Sequence, residues 1–564
     1  MGLSSALINA GQALEVFSAG MQVAGNNIAN STTPGYVREV LQTAPSPTVA
    51  QGNVLIGGGV TATGVRQQIN TFLQQQIQNA TSDYQGALQQ SNVYQQLETT
   101  MQALGGSSLS SQLNSFLGNI SNVVNQPEST AQRNIAVQAG VQLAQGITSI
   151  RSQIDSQRTA LDQQVSSLVS QANGLLDNIS QLNSQIAAAE HSGQSGSDDG
   201  AARSQRYNDL TQLAQIIPIR TAQDNGGQID VYTGSEHLVD GSGVQHLQTV
   251  TGSSHGMTVQ NVVIQNSNMP ISGSGGQLNG AIAGRDTILG GFVDNLDALT
   301  SNLIYQFNNV YSSGQGLHGY SSVTATNSVT SPTAALNAAG LPFTPTNGGF
   351  QVQVVNTTTG ATQTTSIPVN LSGIGTATSL TSLAASLNSV ANLSASISPA
   401  GQLTISAASG YQVEFSNDTS GTLASLGINT FFTGSNSSNI GVNAALAADP
   451  GLFAAAQGGG PGDGTNAAQL SQINTTPVAG LNGASLSDYY NGTVATISQA
   501  AASESALSTG NQGYLNALTN QQAQTSGVSI DAEAVQVMQY QHSYQAAARI
   551  ISTLDQLFTT LMHL

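Results

Sequence analysis

The sequence predicts an α+β multidomain chain: a long helical, coiled-coil body, N- and C-terminal helices that pair, and β-rich outer domains inserted between them. Three seams predict it. Leu3, Leu7, Ala10, Leu14, Phe17, Met21, Ala24 and Ile28 follow alternating steps of four and three, a seven-residue apolar repeat. Ile147, Ile154, Leu161, Leu168, Leu175 and Leu182 recur every seven, with Arg151, Arg158, Val165, Ala172, Ile179 and Ile186 at the intervening stations. Ile530, Ala534, Val537, Tyr544, Ala548, Ile551, Phe558 and Met562 make a third seam, and Ala547, Ile550, Leu554, Leu557 and Leu561 widen it. A helix apolar on one stripe needs a partner, so the first and last helices are the natural pair.

The first helix must stop by Asn30. Thr32-Thr33-Pro34-Gly35 is turn chemistry, because the residue before a proline disfavours the helical region. Residues 53–65 alternate in β fashion around Gly57-Gly58-Gly59. Helical spacing returns over 67–104 (Leu73, Ile77, Ala80, Tyr84, Leu88, Leu97, Met101) and breaks at Gly105-Gly106. A short helix over 109–124 ends at Gln126-Pro127. The helix over 132–189 would be about 85 Å long at about 1.5 Å per residue, a rod element whose first heptads are polarised by Arg151 and Arg158. It runs into a Ser/Gly/Asp-rich loop, 191–200. Residues 216–221, 228–232 and 257–264 read as strands, and 285–310 as a helix. The stretch 313–440 is β-rich, with strands at 350–355, 393–397, 402–406 and 411–415 and an amphipathic helix at 379–390. Residues 458–464 form a loop. From residue 485 the chain is helical to its end, interrupted near Gly527.

Composition excludes several chemistries. The 564 residues include 10 basic and 28 acidic ones, a net charge of −18, and charged residues are 7% against about 25% in an ordinary soluble protein. All ten basic residues are Arg; Lys, Cys and Trp are absent. No disulfide framework, thiolate zinc site or iron–sulfur cluster is available. Schiff-base chemistry and the usual phosphate-binding loop both need Lys. Ten scattered Arg make no basic stripe for nucleic acid. No run of 18 apolar residues offers a membrane span. The first Arg is Arg38, so no basic region precedes an apolar one and no secretory signal is readable.

No catalytic or metal constellation emerges. His237, His246 and His255 are spaced by nine but sit in Gly/Ser loops and strand ends, where surface turn residues are the expectation. Asp198-Asp199 reads as a solvated loop. Gly57-Gly58-Gly59-Val60-Thr61-Ala62 matches G-x-G-x-x-A only in letters, since no helix opens after it. Gly459-Gly460-Pro461-Gly462-Asp463 occurs once, whereas calcium-binding nonapeptides need stacked repeats. No catalytic, cofactor or metal residue is assigned.

One stretch carries a resemblance. Val23-Ala24-Gly25-Asn26-Asn27-Ile28-Ala29-Asn30-Ser31-Thr32-Thr33-Pro34-Gly35-Tyr36 resembles the N-terminal signature of bacterial flagellar axial proteins, the family of rod, hook and hook-associated subunits. Ser526-Gly527-Val528-Ser529-Ile530-Asp531-Ala532-Glu533-Ala534 and Tyr540-Gln541-His542-Ser543-Tyr544-Gln545-Ala546-Ala547-Ala548-Arg549-Ile550-Ile551 are similar to its C-terminal helix. Tyr207-Asn208-Asp209-Leu210, Gly226-Gly227-Gln228-Ile229-Asp230-Val231-Tyr232 and Leu426-Gly427-Ile428-Asn429-Thr430-Phe431-Phe432-Thr433-Gly434 resemble the hook-associated branch, as does the long helix that hook proteins lack. The match is loose over 313–425.

The resemblance implies a non-enzymatic subunit joining hook to filament, extracellular and exported by the flagellar type III apparatus without a cleaved signal. Its partners would be hook protein, a second hook-associated junction protein, further copies of itself in a ring, and an export chaperone on the C-terminal helix. Neither nucleic acid nor membrane is expected as a partner. The interface seam would be Leu3, Leu7, Leu14, Phe17, Met21, Ile28, Ile530, Val537, Tyr544, Ile551, Phe558 and Met562. Asn26, Asn27, Asn30, Thr33, Pro34, Gly35 and Tyr36 would form the signature turn, either capping the helix or touching neighbours. The expected division is 1–66, the N-terminal axial helix and signature; 67–215, a long-helix body; 216–272, a β-rich insert; 273–312, a helix returning to the body; 313–440, a β-rich outer domain; 441–529, a returning helical body; and 530–564, a C-terminal axial helix paired with 1–30. The alternatives are a flagellar hook protein or, from another class, a secreted adhesin or glycan-active enzyme.

Overall fold

The computed structural model describes residues 2–563 apart from 34, 52–53, 103–107, 192–195, 225, 242 and 272. Pro34, the Gly105-Gly106 break and part of the 191–200 loop therefore lie outside the described residues. The helices in chain order are α1 (Gly2–Ala29), α2 (Thr71–Gln102), α3 (Leu109–Asn125), α4 (Thr130–His191), α5 (Gly200–Ile216), α6 (Gly276–Ala283), α7 (Leu289–Tyr311), α8 (Leu380–Asn388), α9 (Thr422–Leu426), α10 (Ala444–Ala448), α11 (Thr465–Ser471), α12 (Leu486–Ser526) and α13 (Ile530–Met562). Side-chain caps start several of them. Ser108, Asp199 and Ser529 accept from Ser111, Ala202 and Ala532 N–H, and Ser379 forms a reciprocal capping box with Ser382.

This is the predicted α+β arrangement, with α1 and α13 paired and β-rich parts between helical runs. Several details differ from the sequence expectation. The first strand of the insert is Arg220–Gln223, because α5 holds the helix to Ile216. Strands Glu39–Pro45, Glu236–Asp240 and Leu247–Ser254 were not legible; polar residues in the first and last, and the adjacent Leu238-Val239 in the second, leave no clean apolar alternation. The helix expected over 285–310 is α7, which begins only at Leu289 and is joined to α6 by a π-turn, Gly284–Ile288. Between 441 and 485 the chain makes only short helices and 3-10 turns, because Pro450, Gly458–Gly460, Pro461 and Pro477 interrupt any longer one.

The chain forms two compact units. The first comprises Met1–Asn92, Ala160–Arg285 and Ala501–Leu564. In it α13 lies antiparallel along α1. Strand Glu39–Pro45 turns back beside α1 and pairs antiparallel with Val60–Gln67, with a register shift at Gln42/Thr43. The hairpin Val49–Gln51/Val54–Ile56 leaves Val54, Leu55 and Ile56 exposed. Leu518 and Leu515 of α12 pack on Leu73, Ile77 and Ala80 of α2. The insert is a four-stranded antiparallel sheet, Arg220–Gln223, Ile229–Thr233, Glu236–Asp240 and Gly243–Val244, followed by the ribbon Leu247–Ser254/Met257–Ile264.

The α4 segment of this unit carries a phase change. Leu161, Val165, Leu168 and Ala172 are buried as the repeat predicts, but the next buried stations are Leu176, Ile179, Asn183 and Ile186. An extra step of four after Ala172 moves the seam by one residue, so Leu175 and Leu182 are only half-buried. Asn183 instead becomes a hub. Its Nδ2 donates to Ile229 O and Gly241 O, each at 2.8 Å, and its Oδ1 accepts from Ile229 N (3.0 Å) and Arg206 Nη1 (2.7 Å).

The second unit comprises Val93–Thr159 and Asp286–Ala500. Its core is a set of rings, Phe116, Phe307, Tyr311, Phe431, Phe432 and Phe453, with centroid separations from 4.8 to 6.1 Å. Gly140 of α4 admits Phe431: a Cβ there would stand 2.4 Å from its Cζ. Of the two Arg stations of α4 here, Arg158 is buried and Arg151 is half-buried. Arg151 binds Asp155 and Asp297, and Arg158 has no exposed side-chain surface. Two antiparallel three-stranded sheets, orders Thr362–Val369/Gly348–Asn356/Tyr411–Ser416 and Ser322–Thr324/Leu403–Ala407/Leu393–Ile397, complete the unit with α8.

Candidate functional site

The surface that distinguishes this chain is the α1/α13 pair with the turn that follows α1. On α1 the buried residues are Ala10, Val16, Gly20, Val23, Ala24 and Asn27; on α13 they are Glu533, Ala547 and Leu554. These are small at most stations, so the backbones approach closely. Tyr540 fills the notch at Gly20, with Phe17 beside it at a ring-centroid distance of 6.5 Å.

The expected seam residues sit on the flanks of this contact. Leu3, Leu14, Phe17, Met21, Ile28, Val537, Ile551 and Phe558 are half-buried; Leu7, Ile530, Tyr544 and Met562 are exposed. With Ile8, Val535, Met538, Ile550, Leu557 and Leu561, also exposed, they leave apolar surface on the outside of the pair. Exposed apolar side chains on an already packed helix pair make a candidate interaction surface.

The signature residues divide by role. Asn27 is 1% exposed and uses both ends of its amide. Its Nδ2 donates to Glu39 O (2.9 Å) and Glu533 Oε2 (3.0 Å); its Oδ1 accepts from Glu39 N (3.0 Å) and the Tyr36 hydroxyl (2.9 Å). It thus ties the end of α1 to the returning strand, the turn and α13. Burial, then Glu39 and Glu533 nearby, push the Tyr36 hydroxyl up to about 12. Asn30 accepts from Thr33 Oγ1 (3.4 Å) and donates to Asn26 O (3.0 Å), a local closure of the helix end. Gly35 has φ +78°, where a side chain is strained, and a Cβ would meet Asn208 Cβ at 3.4 Å. Asn26 is exposed, and with Asn30, Thr33 and Tyr36 it lines a hollow of about 340 Å³.

Two residues of this site were missed by sequence reasoning. Glu533 receives the Arg38 Nε donor at 2.6 Å, with its side chain 3% exposed, and Arg38 N–H donates to Ser526 O at 3.2 Å. The available signal was spacing: Glu533, Tyr540, Ala547 and Leu554 occupy one seven-residue row, and a carboxylate on such a row demands a partner. Next to it, Glu39 is raised above the usual carboxylate range by burial and by Asp198 and Asp199.

The other sequence candidates have structural partners. Asp198 Oδ2 accepts from Gln67 N (3.0 Å), and Asp199 caps α5. His246 Nε2 lies 2.8 Å from Asp177 Oδ1, His237 packs on the Tyr232 ring, and His255 sits in a turn with φ +45°. Gly59 leads into strand Val60–Gln67, not a helix. Asp463 accepts from the Thr465 hydroxyl and from Thr465, Gln457 and Gly459 N–H and holds its loop closed, which lowers its carboxyl to about 2. Among the described residues no group of three or more His, Cys, Asp or Glu could hold a metal ion, and no helix is long and apolar enough to cross a membrane.

The family model described as "Flagellar hook-associated protein FlgK helical domain" matches residues 94–324, and "Flagellar basal body rod FlgEFG protein C-terminal" matches 520–564. The chain is 23% identical over 577 aligned positions to flagellar hook-associated protein 1 of Escherichia coli (strain K12), covering 100% of both chains. It is 24% identical to the Salmonella typhimurium protein of that name over 44% of this chain and 45% of the relative. Identity to the Bacillus subtilis (strain 168) counterpart is 31% over 19% of this chain and 21% of that one. The solved flagellar hook junction protein FlgK of Burkholderia pseudomallei superposes with a TM-score of 0.49 at 17% identity, covering 81% of this chain and 100% of that one.

Proposed function

We propose that the chain is the structural subunit that joins hook to filament in the bacterial flagellum, a reading supported by its similarity to flagellar hook-associated protein 1 along its whole length. The FlgK helical-domain match over 94–324 favours this reading over a hook protein. The observation that carries it is the outer face of the terminal pair. Leu7, Ile8, Ile550, Leu557, Leu561 and Met562 are each 39% exposed or more, although α1 and α13 are already packed together. Neighbouring subunits would cover this face, and each such side chain then contributes about 1.5–3 kcal/mol.

On this reading the chain has no reaction to catalyse. It assembles with copies of itself into a ring, meets hook protein on one side and a second hook-associated junction protein on the other, and acts outside the cell. It leaves through the flagellar type III apparatus, with a chaperone covering the apolar face of α13 beforehand. Electron microscopy of cells lacking the chain tests the proposal. Hooks without filaments, with filament protein shed to the medium, are expected. Normal filaments on normal hooks would overturn it.

A further inference from the structure

We infer that Glu533 is the residue that sets the register of α13 on α1. The contact is antiparallel with matched seven-residue rows: Asn27 faces Glu533 and Gly20 faces Tyr540. Continuing that register sets Ala13 level with Ala547 and Ala6 level with Leu554. The rows are Ala6, Ala13, Gly20 and Asn27 against Glu533, Tyr540, Ala547 and Leu554. Apart from Asn27, Glu533 and Tyr540 they are apolar, and all of those but Leu554 are small. A slide of one heptad would set Ala547 on Gly20 and Leu554 on Ala13, contacts that apolar packing accepts. It asks only that the first two turns of α13 loop out, where Ile530 and Asp531 are already exposed.

What the slid arrangement cannot reproduce is the bonding of the Glu533 carboxylate. One oxygen takes Asn27 Nδ2 of α1, and the other takes Arg38 Nε beyond the signature turn. Moving Glu533 by a heptad, about 10.5 Å along the helix, leaves the buried amide and the guanidinium without it. A single buried polar group in an apolar seam is the best-attested means of fixing register. Here it acts at the point where α1, the turn and α13 converge. Tyr540 in the Gly20 notch supports the same register sterically, but it names no partner chemically.

The chain has no Cys, so paired cysteines report register without background. Ala24→Cys with Gln536→Cys reports the observed register, since both positions line one groove with Gly20 and Tyr540. Ala24→Cys with Ser543→Cys reports the slid one; the two partners are two turns apart, beyond the roughly 6.8 Å that a disulfide spans between Cα atoms. In the otherwise unchanged full-length chain only the first pair should close on oxidation. Adding Glu533→Ala should raise the ratio of slid to observed cross-link by about tenfold or more. Arg38→Leu, which leaves α13 untouched, should raise it less. Loss of packing alone would lower both cross-links together without changing their ratio, and that result overturns the proposal. So does an unchanged pattern in both variants, or a starting chain that closes neither pair.

Discussion

The ring of Tyr540 occupies the space that a side chain at Gly20 would need: a Cβ there would stand 2.7 Å from Cζ and 2.8 Å from Cε1 and Cε2. In an isolated helix Gly→Ala is favourable by about 0.8–1.0 kcal/mol. Here overpacking costs about 1–3 kcal/mol and sets the sign. Gly20→Ala is therefore expected to lower the melting temperature of the terminal pair, and Tyr540→Leu in that background to restore part of it. A Gly20→Ala chain that melts at or above its parent would show that the ring yields.

Asn27→Leu should cost about 3 kcal/mol or more. It removes four hydrogen bonds and leaves the Glu533 carboxylate short of one donor in a buried place. Trypsin gives a direct readout, because the chain has Arg at ten positions and no Lys. Arg38, tied to Glu533 and to Ser526 O, should resist cleavage in the parent. It should become the first site cut in Asn27→Leu. Equal rates at Arg38 in both chains would contradict the role given to the amide.

The clamp should also open in alkali. Tyr36 is raised from 10.0 to about 12 in the folded chain, chiefly by burial and then by Glu39 and Glu533. Its neutral hydroxyl is the form that donates to Asn27 Oδ1. The folded state thus holds the proton more tightly than the unfolded chain does. The resulting stability is fully present below pH 10 and is lost as pH rises through about 12. Circular dichroism between pH 9 and 12.5 should show loss of terminal helix in that window, and Tyr36→Phe should remove the contribution of this group. A Tyr36→Phe profile identical to the parent's would refute it.

Much of this was legible from spacing. The rows of α1, α4 and α13 follow the seven-residue repeat, and the turn after Asn30 followed from Thr, Pro and Gly. Two physical facts were not. A heptad seam does not say which of its edges faces the chain's own partner: Ala10, Phe17 and Ala24 belong to the observed contact, while Leu7 turns outward and Gly20 and Asn27 take the stations expected for Met21 and Ile28. Small residues win those stations because they let helices approach, which hydrophobicity alone does not register. Low charge content also says nothing of where the charges sit: Arg133, Arg158, Arg203, Arg206 and Arg285 are all buried.

The outer apolar face separates folding from assembly. Leu557 and Leu561 are 51% and 62% exposed, so Leu557→Asp and Leu561→Asp should change the stability of the isolated chain by no more than about 0.5 kcal/mol. Leu554, buried on the same helix, should cost about 2–5 kcal/mol as Leu554→Ala. If neighbouring subunits cover the face, the two Asp variants should be secreted as folded chains and leave hooks without filaments. Filaments of normal length and number in both would remove the face from the interface.

Asn183 offers the sharpest contrast between pattern and structure. It stands one residue after a heptad Leu, at a fully buried station of α4, and by periodicity alone Leu would suit the place. The structure instead has it bond Ile229 N and O, Gly241 O and Arg206 Nη1. Arg206 has no exposed surface, its Nη1 donates to Asn183 Oδ1 and Gly227 O, and burial already lowers its guanidinium to about 10. Asn183→Leu keeps the branch at Cγ and adds apolar surface worth about 1.5–3 kcal/mol. Against that, it takes a partner from three backbone groups and from a buried cation, at about 1–3 kcal/mol for each buried group left unsatisfied and more for the charge. The net is destabilising. Thermal unfolding should begin at the four-stranded insert, and hydrogen exchange at Val231 and Val239 should quicken before exchange in the α1/α13 pair. A variant as stable as its parent would mean that apolar continuity of the seam, and not the amide hub, holds the insert to α4.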